Sequence, residues 1–319
     1  MSMTSSLEPA RVKTRQQIVG LVDKKTYTYR FVNQGAAMIH HRIHRARMLR
    51  GLSLEALANS LGDISKQALN KFEKGDSKPN STRILQLAKA LNVKPEYFFR
   101  SDAIQLAPLE FRKLSKMSQT RQASVREKMH DHLERYEALE RCFDADTTVQ
   151  VLPAQSLAVA NAQEAEMAAQ QLREQLQIGH DAIAHLTELL EDNGIKVALL
   201  DGPDDFDGAC AATHDNQHVL IALNCQRPGE RMRFTAAHEL GHWVMALPED
   251  MSEKDKETCC HRFAGAFLYP QSRVLQDFGS HQRSRVYSAE LLNAKRRYGV
   301  SMQMAQRRLK DLDLLSDAG

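Results

Sequence analysis

The sequence predicts a multidomain protein with an all-helical head, a long helical connector and an α+β body. Three observations carry that expectation. First, 319 residues exceed one ordinary domain and suit two domains plus a connector. Second, charge is unevenly divided: residues 39–100 hold 12 Lys/Arg against 5 Asp/Glu, so a net +7 sits in a chain whose total is +3. Third, the hydrophobic pattern changes along the chain. Short amphipathic helices fill 37–100, a charged stretch free of Gly and Pro runs from about 110 to 143, and strands mix with helices beyond 159. The expected divisions are an N-terminal extension (1–36), the head (37–100), a connector and linker (101–158) and the body (159–319).

Composition excludes several classes. No apolar run reaches the ~18–20 residues of a membrane span, and MSMTSSLEPARVKTRQQ has no apolar stretch behind its charges. Five scattered cysteines, 142, 210, 225, 259 and 260, without a CxxC pair, read as reduced thiols of a cytoplasmic protein.

Taken in order, Tyr27, Tyr29 and Phe31 alternate with polar residues, so 15–33 reads as a β-hairpin. Residues 110–143 read as one connector helix, and Val151 to Ala158 as a linker. Helices are expected at 162–175 and 179–192, a strand at IKVALL, a loop at 201–208 and a strand at HVLIALN (218–224). Further helices are expected at about 230–246, 253–268, 288–298 and 301–312.

Within the head, Ser53 can cap one helix that Gly62 ends, and Ser65 can cap a second that Gly75 ends. Leu54, Leu57, Ala58 and Leu61 can then face Ala68, Leu69 and Phe72. Such a pair lays its second helix in a major groove. The outward positions, Lys66, Gln67, Asn70 and Lys71, suit base edges and phosphates, and the helix start at Ser65 favours a phosphate. His40, His41 and His44, among Arg42, Arg45 and Arg47, read as a phosphate-facing first helix. The span SLEALANSLGDISKQALNKFEKGDSKPNSTRILQLAKALNV resembles Xre-type (Cro/C1-like) helix-turn-helix regulators through Ser65, Leu69, Phe72, Glu73, Gly75 and Pro79. The resemblance implies five helices and a double-stranded operator as partner.

In the body, His238-Glu239-Leu240-Gly241-His242 is an HExxH. Two His at i and i+4 share a helix face and can hold one Zn²⁺, while Glu239 can act as general base toward water. Chance would place the pattern in about 3% of such chains. A third ligand is needed. Pro248 occupies the position where a metzincin third His would stand, and Glu257 projects from the buried face of the next helix. His261 or a cysteine is the alternative, although Cys259 points about 200° away from Glu257 on helical spacing. Trp243 reads as core or pocket wall.

RFTAAHELGHWVM and ExxCHRFAGAFLYP together resemble the ImmA/IrrE metallo-endopeptidases, through Glu257, Phe263, Ala264, Leu268 and Pro270. Cys260 and His261 depart from the family's usual Ala-Asn. The FDG of residues 206–208 and the closing helices also match longer members that carry an Xre head. The resemblance implies a zincin-like body, Zn²⁺ on His238, His242 and Glu257, catalysis by Glu239, and a repressor-like protein substrate. The oxyanion partner is open among His261, Tyr269, Tyr287 and Arg233. HVLIALN can take up a substrate strand by β-addition if it lies at a sheet edge. The combined expectation is a cytoplasmic, homodimeric, DNA-binding regulator with a zinc endopeptidase body. The alternative is a transcription factor or antitoxin, with a toxin-like partner, whose zincin-like body senses or binds without turnover.

Overall fold

The computed structural model describes residues 39–100, 104, 106–107, 117–143 and 149–316. The expected hairpin at 15–33 lies outside them. The head comprises α1 (Ile39–Leu49), α2 (Leu54–Leu61), α3 (Lys66–Lys74), α4 (Ser81–Ala90) and a 3₁₀ turn (Pro95–Phe99). Its helix ends follow the cap chemistry. The Ser53 side chain accepts from the Ala56 N–H (3.0 Å) and that of Ser65 from Ala68 (3.2 Å), while Gly62 and Gly75 sit left-handed at φ 78° and 80°. Ile43, Leu57, Leu69, Leu87 and Phe98 close the core beneath these helices.

The connector helix, α5, spans Gln119–Glu140 and does more than join two parts. Its stripe of Val125, Met129 and Leu133 is buried on the body's sheet, against Ala198, Leu200, Ala209, Ala211, Leu220 and Ala222. Four of those six are alanines, which lets a helix lie close to the sheet. Lys196, on the same strand face, reaches Glu140 (3.1 Å) and the Tyr136 ring at the helix end.

That sheet has three strands, β2 (Ile195–Leu200), β3 (Gly208–Ala212) and β4 (Val219–Asn224), in the order β2-β4-β3. β1 (Leu157–Ala158) is a short strand elsewhere. β4 runs parallel to β2 and antiparallel to β3, so it is the central strand. The expectation that HVLIALN could sit at an edge and receive a substrate is therefore corrected, since neighbours hydrogen-bond both of its sides. Even β3 is covered at one end, where the Ala107 N–H donates to the Ala212 carbonyl.

Alternation divides the sheet between two cores. Leu220 and Ala222 face α5, whereas Val219, Ile221 and Leu223 face the larger core formed by α6 (Ala162–Gln175), α7 (Leu186–Asp192), α8 (Gly229–Val244) and α9 (Glu253–Leu268). The strand β5 (Met245–Ala246) pairs parallel with β1. The chain closes with α10 (Gln271–Phe278), α11 (Ser288–Tyr298) and α12 (Met302–Asp311). Sequence periodicity did not indicate β3 or α10, and the helix expected at 179–192 begins only at Leu186.

Two buried ion pairs tie distant elements together. Arg308 of α12 (1% exposed) makes two 2.7 Å bonds to Glu166 of α6. Arg42 of α1 (0% exposed) makes the same forked contact with Glu134 of α5, at 2.8 and 2.9 Å. Beside it Arg45 bonds Glu127 (2.6 Å) and Glu134 (3.1 Å), and also contacts His130. Arg47 is held by Glu73 within the head. The reading of Arg42, Arg45 and Arg47 as phosphate-facing is thus corrected: carboxylates of α5 and of the head already hold them.

Candidate metal centre and nucleic-acid helix

The site begins with the sequence of α8. Its second half is enclosed between α9 and the sheet, and Ala236, Ala237, Leu240 and Val244 are buried there. His238 (5% exposed) and Glu239 (4%) are carried inside with them. Gly241 sets the spacing. A Cβ there would stand 2.9 Å from a ring carbon of Phe263 on α9, so only glycine lets the two helices come this close. Ser252 caps α9, accepting from the Asp255 N–H (3.2 Å), and the helix places Glu257 opposite the two histidines.

The result is a compact triangle. His238 Nε2 and His242 Nε2 are 3.2 Å apart. Glu257 Oε1 lies 3.2 Å from His242 Nε2, and its Oε2 lies 3.4 Å from His238 Nε2. Tetrahedral Zn²⁺ with bonds of about 2.0–2.1 Å requires ligand–ligand separations of about 3.3–3.4 Å. The donor set and its spacing fit that ion without rearrangement.

Glu239 lines the same cleft, of about 430 Å³, with His238, Glu257, His261, Phe234, Thr235, Arg231 and the Asp207-Gly208 turn. His261 forms one wall. Its ring stacks on Phe234 (5.9 Å between centroids, 15° between planes) and lies 4.6 Å from that of His238. Among the described residues, His238, Glu257 and His261 also form a metal-competent group, with donor atoms within 4.8 Å of one another. Cys259 and Cys260 instead pack into the core.

Three of the four oxyanion candidates lie outside the residues lining the cleft. The Tyr269 phenol donates to Asp277 (2.7 Å), Arg233 reaches the Ile183 carbonyl, and Tyr287 stands at the start of α11. His261 alone of the four is a lining residue. Trp243 belongs to the framework, donating through Nε1 to the Leu152 carbonyl (2.7 Å).

The 206–208 turn has a physical role that periodicity could not reveal. Phe206 is fully buried, and Asp207 accepts from Arg227 (2.7 Å) and Arg231 (2.6 Å). Burial opposes its ionisation, yet the Arg231 and Arg227 guanidiniums hold its carboxyl below the usual range. At Gly208 a Cβ would meet Thr235 of α8 at 2.5 Å, so the turn lies directly on the site helix. The FDG tripeptide was the only sequence clue to this wall.

In the head, Ser65 begins α3, and Lys66, Gln67 and Lys71 are exposed while Asn70 is half-buried. The head meets α5 through Arg42 and Arg45 of α1 and through Arg100, whose guanidinium lies 3.6 Å from Asp131. The outward side chains of α3 remain accessible.

Comparison with known proteins agrees at both ends. Residues 43–98 match the helix-turn-helix family model, and residues 190–310 match that of the IrrE N-terminal-like domain. An uncharacterized helix-turn-helix-type transcriptional regulator of Sinorhizobium fredii is 35% identical over 72 residues, 23% of this chain and 50% of that protein. A second from the same organism is 34% identical over 61 residues, 19% of this chain and 42% of that protein. The radiation response metalloprotease IrrE of Deinococcus radiodurans is 32% identical over 85 residues, 22% of this chain and 26% of that protein. The chain spans half or less of the length of these relatives. No helix among the described residues is long and apolar enough to cross a membrane. The capped helix pair thus lies in the segment that matches the helix-turn-helix family, and the HExxH helix in the segment that matches the IrrE N-terminal-like domain.

Proposed function

We propose that this chain is a DNA-binding regulator whose zincin-like body, residues 159–319, is a zinc-dependent endopeptidase acting on a protein partner. One observation carries the reading: the His238–His242–Glu257 triangle has tetrahedral spacing, and Glu239 opens into the same cleft. A bound Zn²⁺ supplies Lewis acidity that polarises a carbonyl and lowers the pKa of water.

The chain's own residues supply the rest. His238 and His242 offer neutral imidazole nitrogens, and Glu257 offers one negative charge. Glu239 takes a proton from the attacking water on a carboxylate oxygen and returns it to the leaving amine. Phe234 and the Asp207-Gly208 turn wall the cleft. A second cavity of about 760 Å³ shares Arg231, Phe234 and His261 with the cleft, giving an extended segment of substrate room to continue.

For the head, residues 37–100, Lys66, Gln67, Asn70 and Lys71 read an operator from the start of α3, with Ser65 at a phosphate. A homodimer would present two such helices to two half-sites. The protein substrate is repressor-like on the resemblance of the body to ImmA/IrrE members.

Metal analysis tests the site. Glu257→Ala and His242→Ala should lose stoichiometric zinc, while Glu239→Gln should keep zinc and lose proteolysis. Retention of full zinc by Glu257→Ala would remove that residue from the ligand set. Lys66→Ala or Gln67→Ala should each weaken specific operator binding by about 1–3 kcal/mol where a base is contacted. Wild-type binding by both would place the reading surface elsewhere.

A further inference from the structure

We infer that His261 is a fourth protein ligand able to close the metal centre. This rests on the proposed His238, His242 and Glu257 ligand set. Two helices face each other here, and each offers a pair of donors one turn apart: His238 and His242 on α8, Glu257 and His261 on α9. The first three are already at tetrahedral spacing. The His261 donor lies within 4.8 Å of those of His238 and Glu257, and its ring lies 4.6 Å from that of His238. Closing that gap to a tetrahedral separation means moving the His261 donor roughly 1.5 Å toward those two. His261 is exposed, so the proposed movement is a turn of its side chain.

The open alternative is also built. Phe234 offers a flat ring on which the imidazole rests, 5.9 Å away and nearly parallel. His261 therefore has two seats, one on Phe234 and one at the centre. Three protein ligands leave a place for water or substrate, whereas four make a closed site that excludes both. The structure captures the Phe234 seat and leaves the other within side-chain reach. Closure by His261 would hold the proposed peptidase latent until a substrate carbonyl or a shift of α9 displaces the ring.

Cobalt(II), titrated into metal-free full-length protein, tests this without any peptide substrate. Wild type, His261→Ala and His261→Asn are compared by visible spectroscopy and by competition with a chelator. Azide is then added to each cobalt form. In wild type, a closed four-ligand centre should give a spectrum insensitive to azide. His261→Ala and His261→Asn should bind cobalt about tenfold or more weakly, because losing even a supporting partner of a ligand costs 10- to 100-fold, and their spectra should shift with azide. Phe234→Leu, by removing the stacking seat, should tighten cobalt binding relative to wild type. Equal affinities and equal azide responses in wild type and both His261 variants would overturn the proposal. Failure of the underlying ligand set has a different signature: His242→Ala or Glu257→Ala would bind cobalt as tightly as wild type.

Discussion

Gly241 shows how one missing side chain sets the spacing of the candidate metal centre. An added methyl would press at 2.9 Å on the ring of Phe263, which is fully buried. Gly241→Ala therefore gains roughly 1 kcal/mol of helix propensity but incurs overpacking of about 1–3 kcal/mol. Stability should fall by no more than about 2 kcal/mol. Zinc affinity should fall more sharply, because moving α9 away from α8 withdraws Glu257 from the histidines. Calorimetric melting and zinc competition on the same variant separate the two effects, and unchanged affinity would refute this account of the glycine. The HExxH and Glu257 were legible as residues because helical spacing alone places them on faces. Asp207 and Gly208 were not, since their part depends on a loop folding back over α8 from about 30 residues upstream.

At the level of elements, α5 carries most of what the sequence concealed. Its apolar residues at 125, 129 and 133 were visible as periodicity, but periodicity does not say what a stripe faces. The charged residues on its other side meet Arg42 and Arg45, and the resulting cluster makes docking of the head sensitive to pH. Burial pushes the Glu127 carboxyl up to about 7, against the pull of Arg45. Burial and Arg45 lower the pKa of His130, whose Nε2 donates to the Ile104 carbonyl (2.7 Å). Although burial opposes it, Arg42 and Arg45 hold Glu134 below the usual carboxylate range.

The signs follow from linkage. Glu127 binds its proton more tightly when docked, so acidification from about pH 7 toward the usual carboxylate range favours docking. His130 and Glu134 act oppositely, and their contributions disappear as pH falls through their lowered values. Wild-type docking should therefore persist through mild acid and fail below the usual carboxylate range. In Glu127→Gln the loss should begin below pH 6.5. Glu134→Gln leaves Arg42 buried without its charge partner and should weaken docking by about 3–5 kcal/mol at neutral pH. Hydrogen exchange in α1, followed against pH, reads all three, and identical profiles would show that the cluster does not hold the head.

Across the whole molecule, the head rests on a helix that also covers one face of the body's sheet, so the proposed functions share that helix. Under the proposed function, a change at the candidate metal centre can then alter operator affinity, and operator DNA must alter affinity for the body's ligand by the same factor. Operator titrations at one fixed salt concentration, on zinc-loaded and zinc-free protein, should give different isotherms. Superimposable curves would mean that the two modules act independently. The two-part organisation was legible because charge and hydrophobic period change along the chain. The contact between the parts was not, because it pairs Arg42 and Arg45 with carboxylates some 80–90 residues away, which no local pattern records.

The sharing of α5 also has a consequence for the order in which the chain is made. Head and α5 leave the ribosome before β2, β3 and β4 exist, so Val125, Met129 and Leu133 wait exposed for roughly 90 further residues. A chain begun at residue 159 meets the converse problem. Its strands form with Leu200, Phe206 and Leu220 uncovered, because the helix that should shield them was never synthesised. Such a fragment should bind a hydrophobic dye and aggregate, and a separately produced 117–143 peptide should restore it to solution. A soluble, dye-negative 159–319 fragment would show that the sheet can mature before its cover arrives.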